Sequence, residues 1–198
     1  MKKILCALLV LIFLFSTGVS ADYDPGLDYL TIACTALSCG DHDAGRAAAI
    51  CYNERLEDQR IAAVRVDYDA LMWLSKLIEH EAGSRLCGVE WRMCVGEVVL
   101  NRVASSEFPD SIEEVIFQKG QYAGVDCDDF RYELNPDELS IEAALRLLQG
   151  ERLMAPQVVF QAYFEQGSGV YRSFENAVNG TMYFCISNNP ALYGRNRR

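Results

Sequence analysis

Glu81 is the residue in this chain whose position best suits acid–base chemistry. The residues three, four, seven and ten positions before it are Ile78, Leu77, Leu74 and Leu71. With 3.6 residues per helical turn, these apolar positions share one face with Glu81. A carboxyl group on a core-facing stripe is desolvated, which raises its pKa and prepares it as a general acid near neutral pH. The same position is also typical of a partly exposed residue at a helix C-terminus that has no chemical role.

The sequence gives little support to nucleophilic or metal-dependent mechanisms. The only two histidines are His42 and His80, and neither follows a helix-opening cysteine as a Cys–His hydrolase requires. There is no G-x-S-x-G segment, no C-x-x-C pair, and no second histidine four positions after His80. We therefore expect neither a metal nor a cofactor. Glycoside chemistry, which needs carboxyl groups in a groove, remains.

The other glutamates near Glu81 are interpreted as surface charge. Glu79 lies off the apolar stripe and three residues after Lys76, which predicts a solvated ion pair. Glu90 and Glu97 lie seven positions apart on the next predicted helix and receive the same interpretation.

The first 21 residues are typical of a secretory signal peptide. Lys2 and Lys3 precede an apolar run that is short for a membrane span, and Ala21 ends a small-residue cleavage site. The chain has 28 acidic and 18 basic residues, a net charge of −10, and loss of the two lysines makes it more negative. This charge disfavours nucleic acid as a partner and tight adhesion to an anionic surface. We expect an exported protein without stable membrane insertion after cleavage.

Cysteine usage is consistent with export. Of the eight cysteines, Cys6 lies in the predicted leader. The others are Cys34, Cys39, Cys51, Cys87, Cys94, Cys127 and Cys185. Outside the cell some of these are expected to pair, and their odd number leaves at least one free or joined to another molecule. Their spacing does not define the connectivity.

The hydrophobic pattern predicts an α+β domain that is dominated by helices and has a small antiparallel sheet near the C-terminus. The segment at 22–42 is predicted to be a linker or a small stapled loop. The predicted helices are 43–64, 68–82, 88–104, 111–117 and a last one that starts at about 135 or 140 and ends at 149. A turn with a short strand is predicted at 118–125, and strands at 158–160 and 182–186. Asp67 is expected to cap the helix at 68–82, and Asp110 with Glu113 is expected to form a capping box. The predicted organisation is a signal peptide at 1–21, an N-terminal linker or helical extension at 22–66, a main domain at 67–190 and a basic tail at 191–198.

One block of the chain, 77–125, contains a series of short motifs in a fixed order. The motifs are Glu81-Ala82-Gly83, Val95-Gly96, Val99-Leu100-Asn101-Arg102-Val103, Phe108-Pro109, Ile112, Val115-Ile116-Phe117-Gln118 and Gly120-Gln121-Tyr122. In content and spacing the block closely resembles the catalytic domain of the SleB-type cell-wall hydrolases, the spore-cortex-lytic-enzyme family.

The resemblance implies a lysozyme-like domain that cuts the glycan strands of peptidoglycan, in the cell wall or in the region of the spore cortex. Glu81 aligns with the family's catalytic glutamate. In the implied mechanism it protonates the oxygen between N-acetylmuramic acid and N-acetylglucosamine. The carboxylate then accepts the proton of the muramic acid 6-hydroxyl, and a 1,6-anhydro ring closes. One carboxyl group is enough for this lytic transglycosylase reaction.

The resemblance also implies a set of residues that border the cleft. Gln121 and Tyr122 align with the family's Gln-Phe segment, where an amide can bind acetamido groups and an aromatic ring can stack on a sugar or pack in the core. Gln118 is a further candidate of this kind. Asn101 and Arg102 are expected to have structural roles.

The chain departs from the family pattern at several places. His80 stands where the family usually has glycine, and the loop after Glu81 has no acidic residue before Glu90, where the family often has a second glutamate. Tyr122 replaces the phenylalanine of the Gln-Phe segment, and Ala123 follows where serine or threonine is common. Cys87, Cys94, Cys127 and Cys185 are additions, and disulfides among them would brace the loops of the cleft.

Three alternatives remain open at this stage. A hydrolytic muramidase would use Asp126, Asp128 or Asp129 to position water opposite Glu81. An N-acetylmuramoyl-L-alanine amidase would need zinc ligands that the sequence lacks. A non-catalytic wall-binding or spore-coat module would retain the fold without turnover.

Overall fold

The computed structural model describes residues 25–58, 65–176 and 180–193. The predicted signal peptide therefore lies outside the described residues. The chain divides into two compact units between Asp69 and Ala70, in the first turn of a helix.

The first unit contains a pair of packed helices, α1 (Pro25–Ser38) and α2 (His42–Asp58). Helix α1 contradicts the prediction of a linker or stapled loop at 22–42. Its Leu30, Ala33 and Leu37 are buried, and positions spaced by three and four residues form the stripe that packs on α2. The Asp, Gly and Thr residues of this segment interrupt the apolar pattern, so the sequence analysis did not identify that stripe. Helix α2 confirms the prediction up to Asp58, and the rest of the predicted helix, 59–64, lies outside the described residues.

Three longer helices form most of the second unit: α3 (Tyr68–Ala82), α4 (Val89–Val103) and α6 (Glu138–Leu148). Their positions confirm the predicted helices. Asp67 caps α3 as expected, since its Oδ1 accepts the backbone N–H of Asp69 at 3.0 Å. Gly96 lets α3 and α6 approach α4, because a Cβ atom there would lie 2.7 Å from side-chain carbons of both neighbouring helices.

The short helix α5 (Ile112–Ile116) lies between α4 and α6 in the chain, and its cap differs from the predicted one. Ser111, and not Asp110, is the N-cap residue. Its Oγ accepts the backbone N–H of Glu114 at 3.2 Å and donates to the Glu114 carboxylate at 2.9 Å. The capping box is therefore Ser111 with Glu114.

Of the turn and short strand predicted at 118–125, the strand is wrong. Turns occupy this segment up to a π-helix at Asp129–Glu133, and Gly120 and Gly124 both have φ of +80°. Backbone with positive φ leaves the extended conformation that a strand requires. The segment is therefore a folded loop.

A three-stranded antiparallel sheet completes the second unit and confirms the α+β class. The strands are β1 (Val158–Ala162), β2 (Val170–Asn176) and β3 (Gly180–Ile186), in the order β1-β3-β2. The sequence predicted β1 and most of β3, but not β2, in which exposed and half-buried residues alternate without a fully buried position from 170 to 175.

Helix α4 attaches the sheet to the helices through polar side chains. Asn101 Nδ2 donates to the carbonyl oxygens of Ala155 and Val158, at 3.1 and 3.0 Å, which confirms its structural role. Glu97 is fully buried and accepts the backbone N–H groups of Leu153 and Met154. Its interpretation as surface charge is wrong, because those two N–H groups require an acceptor inside the fold. Glu90, in contrast, is exposed.

The predicted disulfides around the cleft are not formed. Cys94, Cys127 and Cys185 are free thiols, so no pair exists among them and Cys87. Cys94 and Cys185 are buried on packed elements as small apolar side chains.

Among the described residues, no helix has both the length and the apolar character needed to cross a membrane.

Candidate active site

Glu81 lies in the last turn of α3, at the edge of the core. The four apolar residues of its stripe are completely buried, whereas Glu81 itself is half-buried. It borders a pocket of about 510 Å³. The lining residues are Glu79, His80, Glu81, Gly83, Ser84, Cys87, Trp91, Leu134 and Tyr163. The stripe thus brings a carboxyl group from the core to the wall of a cavity.

The surroundings of Glu81 favour its protonated form. Burial raises the pKa of this carboxyl group, and the nearby His80, the hydrogen bond from Gln161 and the charge of Arg102 only partly oppose that effect. Desolvation is the largest contribution, as the helical stripe predicts. A carboxyl group with a raised pKa beside a pocket can donate a proton and later take one back.

Gln161 on β1 contacts the Glu81 carboxyl group directly. Its Nε2 lies 3.3 Å from Glu81 Oε2, so the amide donates to the carboxyl oxygen. The sequence analysis missed this residue. A polar side chain directly after the apolar run Val158-Val159-Phe160 was the available signal, but nothing local relates it to a helix eighty residues earlier.

His80 fastens the loop at 118–128 to the end of α3. Its Nε2 lies 2.7 Å from the carbonyl oxygen of Ala123. A carbonyl group can only accept, so Nε2 carries the hydrogen. The imidazole ring also packs edge-on against Phe130 at 5.4 Å between centroids. His80 therefore joins this loop to the end of α3 and itself lines the pocket.

The three predicted substrate-binding residues do not line this pocket. Gln121 is exposed on the loop, and Gln118 is half-buried with its Oε1 enclosed. Tyr122 is 7% exposed, and the Arg102 guanidinium lies 5.2 Å from the centre of its ring. Burial raises the pKa of Tyr122 to about 12, and its hydroxyl group interacts electrostatically with Glu81. Their roles in binding stay predictions.

The aromatic side chains of the pocket wall are Trp91 and Tyr163. Trp91 is buried and stacks on Phe174 with centroids 5.4 Å apart. Tyr163, which follows β1, is 53% exposed. Neither residue was predicted as a site residue, because neither belongs to one of the short motifs.

Glu79 is the second carboxylate of the pocket, and its predicted solvated pair with Lys76 is wrong. Lys76 is fully buried, and its Nζ donates to the carbonyl oxygen of Arg131 at 2.7 Å. Glu79 Oε2 instead accepts hydrogen bonds from Arg92 Nη1 at 3.3 Å and from Ser140 Oγ at 2.8 Å. It also accepts the backbone N–H of Asp137, the N-cap residue of α6, at 3.1 Å. The completely buried Arg92 requires this anion, and helical spacing alone did not reveal it.

The aspartates considered for a hydrolytic mechanism lie on the surface. Asp126, Asp128 and Asp129 are all exposed and are not among the lining residues of the pocket. In the part of the chain that the structure describes, no group of three or more acidic, histidine or cysteine side chains is arranged to hold a metal ion.

Residues 88–185 match the family model described as Cell Wall Hydrolase. The matched range begins after Glu81 and includes Gln118, Gln121, Tyr122 and Gln161. No curated protein and no solved structure was found to match the chain. The family match supports a cell wall hydrolase family for this chain, and with it an enzyme that acts on peptidoglycan.

Proposed function

We propose that this protein is an exported lytic transglycosylase of the SleB type. It cleaves the β-1,4 bond between N-acetylmuramic acid and N-acetylglucosamine in peptidoglycan. The observation that carries this proposal is Glu81, a half-buried carboxyl group with a raised pKa at the wall of an open pocket. The family match over the following residues supports the choice of substrate.

In the proposed reaction Glu81 acts first as an acid and then as a base. Its proton passes to the glycosidic oxygen as the bond from that oxygen to C1 of the muramic acid breaks. The 6-hydroxyl of the same sugar then attacks C1, and its proton passes to the Glu81 carboxylate. The sugar leaves as a 1,6-anhydro product, and Glu81 regains its starting form without a water molecule being consumed.

The state of Glu79 favours this reaction over hydrolysis by two carboxylates. Its Oε2 already accepts three hydrogen bonds, from Arg92, Ser140 and a backbone N–H. These bonds join Glu79 to α4 and α6, which supports a structural role for it. We therefore assign both proton transfers to Glu81.

The test is digestion of purified peptidoglycan followed by mass spectrometry of the products. Anhydromuropeptides should accumulate with the native protein and disappear with Glu81→Gln. Glu142→Gln is the matched control, because Glu142 is an exposed glutamate on α6, and it should retain full activity. Reducing muramic ends in place of anhydro ends would identify a hydrolase, and activity that survives in Glu81→Gln would refute the role of Glu81.

We also propose that Gln118, Gln121 and Tyr122 contribute to glycan binding on the loop beside the site. Gln121→Ala should raise KM with little change in kcat, because an exposed amide that contacts the substrate equally in the ground and transition states affects binding alone. Parallel digests of vegetative wall and spore cortex with the native protein would identify the preferred substrate.

A further inference from the structure

The hydrogen bond between Gln161 and Glu81 has a consequence for the acid proton. It joins β1 to the end of α3, and among the described residues it is the one side-chain hydrogen bond that the Glu81 carboxyl group makes. Gln161 is a neutral amide, so its own charge does not vary with pH. What the bond changes is which of the two carboxyl oxygens can carry a proton.

The amide orientation follows from the surroundings of Gln161. Nε2 faces Glu81 Oε2, whereas Oε1 is enclosed in the protein and has no hydrogen-bond partner among the described residues. The opposite orientation would place two N–H donors at that enclosed position. Unpartnered buried N–H groups are rarer in proteins than carbonyl oxygens with spare capacity, so the orientation with Nε2 towards Glu81 is favoured. An ionised Glu81 also requires it, because a carboxylate only accepts.

With Nε2 in this place, Oε2 of Glu81 accepts a hydrogen bond in both protonation states. In the carboxylate both oxygens are acceptors. In the acid, the oxygen facing an N–H group must be the carbonyl oxygen, and the proton must be on the other oxygen. The amide therefore distinguishes two oxygens that are otherwise equivalent.

We propose that Gln161 is a positioning residue that directs the acid proton of Glu81 to Oε1, the oxygen turned away from β1. This assignment rests on the proposed function and adds to it the atom that donates the proton. Gln161 touches neither the substrate nor the bond that breaks. It acts through Glu81, by limiting the carboxyl group to one arrangement for donation.

The first experiment is a carbon-13 NMR titration of the Glu81 carboxyl group, which needs no substrate. Gln161→Leu removes a hydrogen bond that is stronger to the carboxylate than to the acid. The pKa of Glu81 should therefore rise, by about half a unit to one unit. Gln161→Glu, which has nearly the same shape, places a second carboxyl group beside the first and should raise the apparent pKa further. Gln157→Leu, at the residue just before the same strand, is the matched control and should leave the titration unchanged.

The second experiment is the pH dependence of peptidoglycan cleavage. In Gln161→Leu, kcat should fall about tenfold with little change in KM, and the descending limb of the profile should move to higher pH by the same amount as the titration. A Glu81 pKa that is unchanged in both Gln161 variants would overturn the proposal, as would a change confined to KM. If the titration shifts as expected but the native protein releases no glycan fragments, the link between Gln161 and Glu81 stands and the proposed function fails.

Discussion

Replacement of Glu79 by alanine tests the ion-pair network beneath the pocket. The substitution removes the acceptor of three hydrogen bonds and leaves the guanidinium of Arg92, which is completely buried, with fewer partners. Removing one member of a buried ion pair typically costs about 3–5 kcal/mol. Asp137 still contacts Arg92, but its side chain is 45% exposed and is partly screened by solvent. We therefore expect the free energy of unfolding to fall by about 2–3 kcal/mol.

The measurement is urea denaturation followed by circular dichroism. With an m-value of about 1–3 kcal/mol per molar, the expected loss moves the midpoint down by about 0.7–3 M urea. Glu142→Ala is the control, because Glu142 forms an exposed pair with Arg146, four residues along α6, at 3.4 Å. Such exposed pairs contribute little to the free energy of unfolding, so the midpoint should stay nearly unchanged.

A double-mutant cycle isolates the interaction itself. Arg92→Met combined with Glu79→Ala should cost less than the sum of the two single changes by about 1 kcal/mol or more, since residues in one network couple. A loss below 1 kcal/mol for Glu79→Ala, or strict additivity in the cycle, would show that the network does not stabilise the fold.

Three further predictions concern parts of the fold that support the site. Glu97→Ala strands two buried backbone N–H groups between α6 and β1, and should lower the free energy of unfolding by about 2–4 kcal/mol in the same urea assay. Gly167→Ala should lower the free energy of unfolding by about 2 kcal/mol or more, since φ is +66° and the new Cβ would overlap a carbonyl oxygen of β3. Gly169→Ala, with φ of +140° and open space around the new Cβ, tests the backbone effect alone and should lower it less. Hydrogen bonds, above all from Tyr193, hold the pKa of Glu107 below its ordinary value. Their stabilising effect is present above a pH of about 4.5 and is lost as the pH falls through the lowered pKa. Hydrogen exchange near Tyr193 should therefore become faster in that acidic range and stay unchanged at neutral pH.

The features that were predicted correctly are those that local patterns determine. The stripe that ends at Glu81 requires only helical periodicity, and the cap at Asp67 requires only a side chain that reaches two residues along the chain. The position and the raised pKa of Glu81 both followed from that periodicity.

The errors about Glu79, Glu97 and Gln161 have a different origin, since each of these side chains has a partner that is distant in the sequence. Glu79 and Glu97 are of a residue type that usually lies on the surface. Glu79 nevertheless faces a buried arginine, and Glu97 faces backbone N–H groups more than fifty residues away in the sequence. Gln161 is eighty residues from the carboxyl group that it contacts. Periodicity describes which side of a helix is buried, but it does not state which polar groups are buried with it.

Glu79 and Glu81 explain how one helix end can supply both a fixed charge and an exchangeable proton. Because they are two positions apart, about 200° of helical rotation separates their side chains, and they meet different neighbours. Glu79 faces a guanidinium and two further donors, and its Oε2 accepts a hydrogen bond from each of them. Glu81 faces a neutral amide and a pocket, and desolvation raises its pKa. Arg92 on α4 and Ser140 on α6 both bond to Glu79, so this carboxylate joins three helices, whereas the carboxyl group two residues later stays at the wall of the pocket.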